Sequence, residues 1–245
     1  MTDDHFLQTP LNRPVKLPSA KREVTLGLLV YAVYLLVRKL VLDAGGREHA
    51  RRNAEQIVAY ETRLGIHVEP AVQRALLRYP RLLYGLNLGY GLFNVGLTVG
   101  WLAALYRRQD PEYVRLRRGC LLAHLGAQPV FLLLPTAPPR VLDGFVDTLS
   151  EVSGFDLEHP VLVRLYNPVA AMPSLHVAFA VVTARGIAER ASSPLTRAVA
   201  YAYPPLVALV VAGTGNHYVL DAAAGAALGS VATRIASRTP APSSS

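Results

Sequence analysis

LLYGLNLGYGLFNVGLTVGWLAALY, residues 82–106, runs from Arg81 to Arg107 without a single charged side chain. At about 1.5 Å of rise per helical residue the stretch is longer than the roughly 30 Å of hydrocarbon in a bilayer. The pattern recurs on both sides of it. An apolar run over 24–42 comes close to the bilayer thickness and is too long for the core of a secretory signal, so it reads as an uncleaved first span. Further runs follow at 119–135, 171–188, 198–214 and 217–234. The expected fold is therefore all-α: a polytopic membrane protein, a six-transmembrane-helix bundle with interfacial amphipathic helices.

Composition points the same way. Of 245 residues, 51% are hydrophobic and 17% charged, against about 25% charged in soluble domains. The net charge is +8, and 22 of the 25 basic residues are arginine. They sit in the connections between apolar runs, which argues for topology and headgroup contacts and against a nucleic-acid face. A lone cysteine, Cys120, excludes a disulfide framework and a Cys-based metal site. Cys120 and Trp101 read as lipid-facing or packed residues. The pairs Gly85/Gly89, Gly96/Gly100 and Gly225/Gly229 have the small-xxx-small spacing that lets helices approach closely.

The chain divides into a polar tail (1–23), a first span with its edge (24–46), an interfacial amphipathic segment (47–81), a membrane core of five further helices (82–236) and a disordered tail (237–245). With six spans, the termini and the second and fourth connections carry 14 Lys/Arg, while the third and fifth carry 2. The positive-inside rule then places both termini in the cytoplasm of a plasma-membrane protein. The arginine-rich first connection is the exception. Its apolar positions Ala54, Ile57, Val58, Leu64, Val68, Val72, Leu76 and Leu77 predict helices lying in the headgroup region. In the third connection Val141, Leu142, Phe145, Val146, Leu149 and Val152 fall at helical spacing opposite Asp143, Asp147 and Glu151, which predicts an amphipathic helix there.

Three stretches carry the chemistry: Pro135-Thr-Ala-Pro-Pro-Arg140, Ala171-Met-Pro-Ser-Leu-His176 and Gly213-Thr-Gly-Asn-His217-Tyr-Val-Leu-Asp221. His176 and His217 are separated by one helix down, a turn and one helix back, so both return to the same face. His217 and Asp221, four apart on a helix, share a side; a carboxylate there fixes the imidazole tautomer and frees the other nitrogen as nucleophile or base. Pro173 suits the first turn of a helix, with Ser174 and its neighbouring amides offering donors to an anion. His176 could protonate a leaving oxygen, and Arg140 could grip a phosphate through two bonds. Together they suggest phosphoryl transfer.

Each residue also has a plainer role. The His–Asp pair can be glue between helices, Ser174 a helix cap, and Arg140 an interface anchor. Asn216, Tyr218, Arg164 and His124 are further candidates for lining a substrate pocket. His124, with Gln128, and likewise Asn87 and Asn94, can instead hydrogen-bond within the bundle, and His124, Gln128 and Asn94 could serve the path of a channel or transporter. No HExxH or Cys/His spacing supports a metal site, and no cofactor is expected.

At these stretches the sequence resembles the type 2 phosphatidic acid phosphatase superfamily over about residues 47–234. Pro173-Ser174-Leu175-His176 matches its Pro-Ser-x-His motif and His217–Asp221 its His-x-x-x-Asp motif. The resemblance implies a metal-free phosphohistidine mechanism: His217 attacks phosphorus, Asp221 orients it, His176 protonates the departing oxygen, and Ser174 and Arg140 hold the phosphoryl oxygens. Two usual cations are replaced, a Lys by Leu133 and an Arg by Val211; Arg164, Arg78 or Arg81 could take their place. The form of the three motifs, with Arg52-Asn-Ala-Glu and Tyr60-Glu-Thr-Arg-Leu-Gly, is similar to the branch containing fungal inositol phosphorylceramide synthase and bacterial relatives. The implied function is a lipid phosphatase/phosphotransferase acting on a lipid phosphate or phospholipid from the extracytoplasmic side. The alternatives are an inositol-phosphate transferase onto a lipid hydroxyl and a catalytically inactive lipid-binding protein.

Overall fold

Backbone amides in lipid find no water, so an apolar segment closes its hydrogen bonds on itself as helix. The computed structural model describes residues 17–43, 45–90, 94–157, 159 and 161–238. Among them the chain is helical apart from its loops and one isolated bridge, Thr136 to Ala170. The helices are α1 (Ala20–Asp43), α2 (Gly46–Arg63), α3 (Glu69–Leu76), α4 (Pro80–Leu88), α5 (Asn94–Arg107), α6 (Glu112–Leu133), α7 (Thr148–Ser153), α8 (Leu175–Arg190), α9 (Pro194–Gly213) and α10 (Val219–Arg238). The expected tails fall largely outside the described residues, at 1–16 and 239–245.

Among the described residues three helices are long and apolar enough to cross a bilayer: α1, α9 and α10. The 24 residues of α1 rise about 36 Å. Val24, Leu28, Leu29, Leu36 and Leu40 of α1, and Leu195, Val199, Leu206 and Leu209 of α9, lie exposed. Apolar rows of this extent mark a membrane protein. Six spans are not shown. Within the run at 82–106 the described residues form α4 and α5, with 91–93 between them outside the described residues. α6 opens on Glu112, Arg115, Arg117 and Arg118, and α8 has 16 residues.

Small residues set the centre, where α6, α8 and α10 meet through Ala123, Ala178 and Ala232. A Cβ on Gly225 would stand 2.2 Å from the Ser174 carbonyl oxygen, and one on Gly229 2.5 Å from that of Ala178. This pair therefore brings α10 onto α8 as its spacing predicts. Gly85, Gly89, Gly96 and Gly100 face open space, so the other two pairs do no such packing. The far end of the bundle is held by ion pairs: Arg190 to Asp110 at 2.6 Å, Arg115 to Glu112 and Glu189, and Arg117 to Glu23. Arginines expected to face headgroups are here neutralised within the protein.

Two local expectations are corrected. In α2 and α3 the inward residues are Ala50, Ala54 and Ile57, but also Glu61, Glu69 and Gln73, while Leu64 and Val68 are exposed. The third connection is not one amphipathic helix. It forms a 3-10 turn at Pro139–Val141, passes Gly144 at φ 91°, and resumes as the short α7. Asp147 starts α7 by accepting hydrogen bonds from the Leu149 and Ser150 amides.

Candidate active site

Main-chain hydrogen bonds bring the three motif stretches together. The Thr136 amide donates to the Val169 carbonyl (2.8 Å), and the Ala171 amide to Thr136 (3.0 Å). The Arg140 amide donates to Gly215 (2.8 Å), and the Ser174 amide to Asp221 (3.0 Å). Gly215 adopts φ 73°, and a Cβ there would lie 2.7 Å from Gln73 Nε2, so both conformation and space require glycine.

His217 precedes α10, and Asp221 sits in its first turn, so the two do not share a helix face as expected. They pair across the helix start: His217 Nδ1 lies 3.4 Å from Asp221 Oδ2 and 2.8 Å from the Ala171 carbonyl oxygen. A carbonyl only accepts, so Nδ1 carries the hydrogen and Nε2 keeps a free lone pair. The wholly buried Asp221 also accepts from the Tyr218 amide at 3.1 Å. His176 stands in the first turn of α8, its ring centroid 5.6 Å from that of His217 and stacked on Tyr90 at 4.3 Å.

These rings border a polar cavity of about 180 Å³ lined by Tyr34, Tyr90, Arg140, His176, Asn216 and His217, among others. The Arg140 side chain is almost fully buried, and its Nη1 donates to Asn216 Oδ1. Asn216 Nδ2 is committed to Thr214 Oγ1 at 2.8 Å. On the other side of Tyr90 and His176 lies an apolar cavity of about 230 Å³, walled by Leu86, Leu97, Leu206, Val207 and Val211. Two histidines, one positioned carboxylate and a guanidinium on a polar pocket can support nucleophilic attack on an anion and proton transfer to a leaving group.

The sequence pattern of the PAP2 superfamily matches residues 55–235. This chain belongs to that superfamily. The match is to the superfamily and does not extend to a narrower branch. The chain trace is similar to the crystal structure of Aquifex aeolicus LpxE, with TM-score 0.49 and 19% identity over 70% of this chain and 93% of that one. No curated protein sequence matches.

The PAP2 motif residues do not all reach the cavity. Ser174 is fully buried and caps α8, its hydroxyl accepting from the Val177 amide at 3.4 Å; Pro173 therefore precedes the cap instead of occupying the first turn. Tyr218 is also buried, its hydroxyl donating to the Ala137 carbonyl at 3.1 Å. His124 lies between Tyr34 and Phe179, outside the cavity wall. Arg164, Arg78 and Arg81 are exposed and are not among the residues that line it. Of the two positions where the PAP2 cations are altered, Leu133 is 80% exposed, whereas Val211 is buried and walls the apolar cavity. Among the described lining residues of the polar cavity, Arg140 is the one arginine or lysine.

Three tyrosines of the wall, Tyr34, Tyr90 and Tyr166, carry no motif and escape sequence reading. So do the acids behind the site. Glu69 Oε1 accepts from the Val219 amide (2.6 Å), and Glu61 Oε1 from the Leu220 amide (2.7 Å), at the start of α10. Burial pushes the Glu61 carboxyl up to about 8, with the Glu69 carboxylate adding to the rise and the Leu220 amide opposing it. Gln73 bonds both the amide and the carbonyl of Val146. The one signal for Glu61 is its register: it continues the inward row Ala50, Ala54, Ile57.

Proposed function

We propose that this PAP2 protein is an integral membrane lipid phosphatase/phosphotransferase working through a phosphohistidine. The observation that supports it best is that the polar and apolar cavities share Tyr90 and His176, a pairing suited to an amphiphile with an anionic head and an acyl or prenyl tail. His217 Nε2 attacks phosphorus, forming the P–N bond as the bond to the leaving oxygen breaks. His176, once it has taken up a proton beside the bound phosphate anion, gives that proton to the leaving oxygen. Arg140 holds the phosphoryl oxygens, and the Asp221 carboxylate with the Ala171 carbonyl keeps the His217 ring in one tautomer. Ser174 contributes by setting the start of α8. Water then attacks phosphorus, the P–N bond breaks, its proton passes to His176 and phosphate leaves.

If a lipid hydroxyl replaces water in the second step, the same site transfers a phospho-headgroup. The inositol-phosphate transfer implied for the branch that the motifs resemble is one case of it, and hydrolysis is favoured because water needs no second acceptor pocket. The site faces the extracytoplasmic side of the plasma membrane with both termini cytoplasmic, a reading supported by the basic connections at 107–118 and 190–197. Single cysteines placed in 141–155 of a Cys120-free variant test the sidedness; labelling only from the cytoplasm overturns it.

The activity is tested on purified protein with phosphorus-labelled phosphatidic acid, polyprenyl phosphate and diphosphate, and phosphatidylinositol plus a hydroxylated lipid, beside His217→Ala. Free phosphate that depends on His217 supports hydrolysis. Label carried onto a second lipid supports transfer. No product dependent on His217 from any of them overturns catalysis in favour of a lipid-binding protein.

A further inference from the structure

Glu61 and Glu69 each spend one oxygen on the amides that open α10. Their other oxygens point toward His67. Glu61 Oε2, Glu69 Oε2 and His67 Nδ1 are buried atoms without a hydrogen-bond partner, and both glutamate side chains are 0% exposed. The imidazole nitrogen lies 3.1 Å from Glu69 Oε2 and 3.5 Å from Glu61 Oε2, and all three donors fall within 4.8 Å of one another. Donors around a small divalent ion at about 2.0–2.2 Å sit roughly 3.0–3.5 Å apart, the range in which His67 Nδ1 stands from both carboxylates.

We propose that Glu61, His67 and Glu69 form a divalent-cation site that ties α2 and α3 to the start of α10. An imidazole with two carboxylates suits Zn²⁺ or Mn²⁺. An open cavity of about 380 Å³, between α2, α3 and the turn at Gly144, reaches the ring of His67 and gives the ion a way in. The cation touches no reacting group. It braces the Val219 and Leu220 amides, between His217 and Asp221, and so acts on the site by positioning. The proposal stands whatever phosphoester the enzyme turns over.

The test uses full-length protein in detergent, with any affinity tag removed, stripped with EDTA and then given Zn²⁺ or Mn²⁺ alone. About one equivalent of either ion retained through desalting, with a rise in melting temperature, is the expected result. His67→Ala and Glu69→Gln then weaken uptake by more than about tenfold. The glutamine retains a carbonyl for the Val219 amide, which protects the fold. His49→Ala, at an exposed histidine of α2, leaves uptake unchanged. Wild-type protein that retains neither ion and shows no thermal shift overturns the site, as does equal uptake by His67→Ala.

Discussion

Tyr90 stacks on His176 with ring centroids 4.3 Å apart and planes at 26°, so a single aromatic contact separates the polar cavity from the apolar one. The Arg140 guanidinium also acts electrostatically on the tyrosine hydroxyl. Tyr90→Ala is expected to lower kcat/KM for a lipid phosphate by about tenfold, a loss near 1.4 kcal/mol. Tyr90→Phe keeps the stack and retains most of the rate. Equal losses in both variants would assign the effect to the hydroxyl instead.

His217→Ala removes the nucleophile and is expected to cut turnover by about 10³-fold or more, and to lower the melting temperature because the buried Asp221 and the Ala171 carbonyl lose their partner. Asp221→Asn keeps an acceptor for the Tyr218 amide but loses the charge facing His217, and is expected to lose about 10²-fold in kcat. Phosphate release from detergent-solubilised lipid, beside a melting curve for each variant, checks both. Full activity in His217→Ala would end the phosphohistidine reading.

Arg140→Lys preserves a positive charge in the cavity yet cannot reproduce the planar fork that meets Asn216. The expected outcome is a rise in KM and a fall in kcat/KM of about 10–100-fold. A lysine variant with wild-type kinetics would show that charge alone suffices.

Glycine substitutions separate the packed stripe from the open ones. Gly225→Ala would place a methyl 2.2 Å from the Ser174 carbonyl oxygen, and is expected to destabilise the protein by about 1–3 kcal/mol or more and to reduce activity with it. Gly85→Ala meets nothing within 4 Å inside a helix and is expected to gain about 0.5–1 kcal/mol. Thermal unfolding in detergent distinguishes them.

The motif stretches are readable in the sequence because their spacing encodes a return path: α8 runs away from His176 and α9 runs back toward His217. Local chemistry is readable too, since Ser174 is a strong helix-start residue and caps α8. What escapes is any contact whose partner lies far along the chain. His217 follows sequence logic in meeting Asp221, but its shorter bond is to the Ala171 carbonyl, 46 positions away. Glu61 and Glu69 look solvated among arginines, yet they cap α10 across 159 and 150 positions. Burial there is repaid by backbone amides that hydropathy does not see. The helix expected at 141–152 fails for a local reason, because Gly144 takes a positive φ and Asp147 starts a new helix.

The bonds that lace the three motif loops, from Thr136 to Val169, Ala171 to Thr136, Arg140 to Gly215 and Ser174 to Asp221, join main-chain atoms alone. These four links do not depend on side-chain identity, glycine positions apart. Lineages could therefore exchange the residues facing either cavity, as with Val211 where an arginine is usual, and acquire new substrates without first rebuilding the frame that holds the reacting groups.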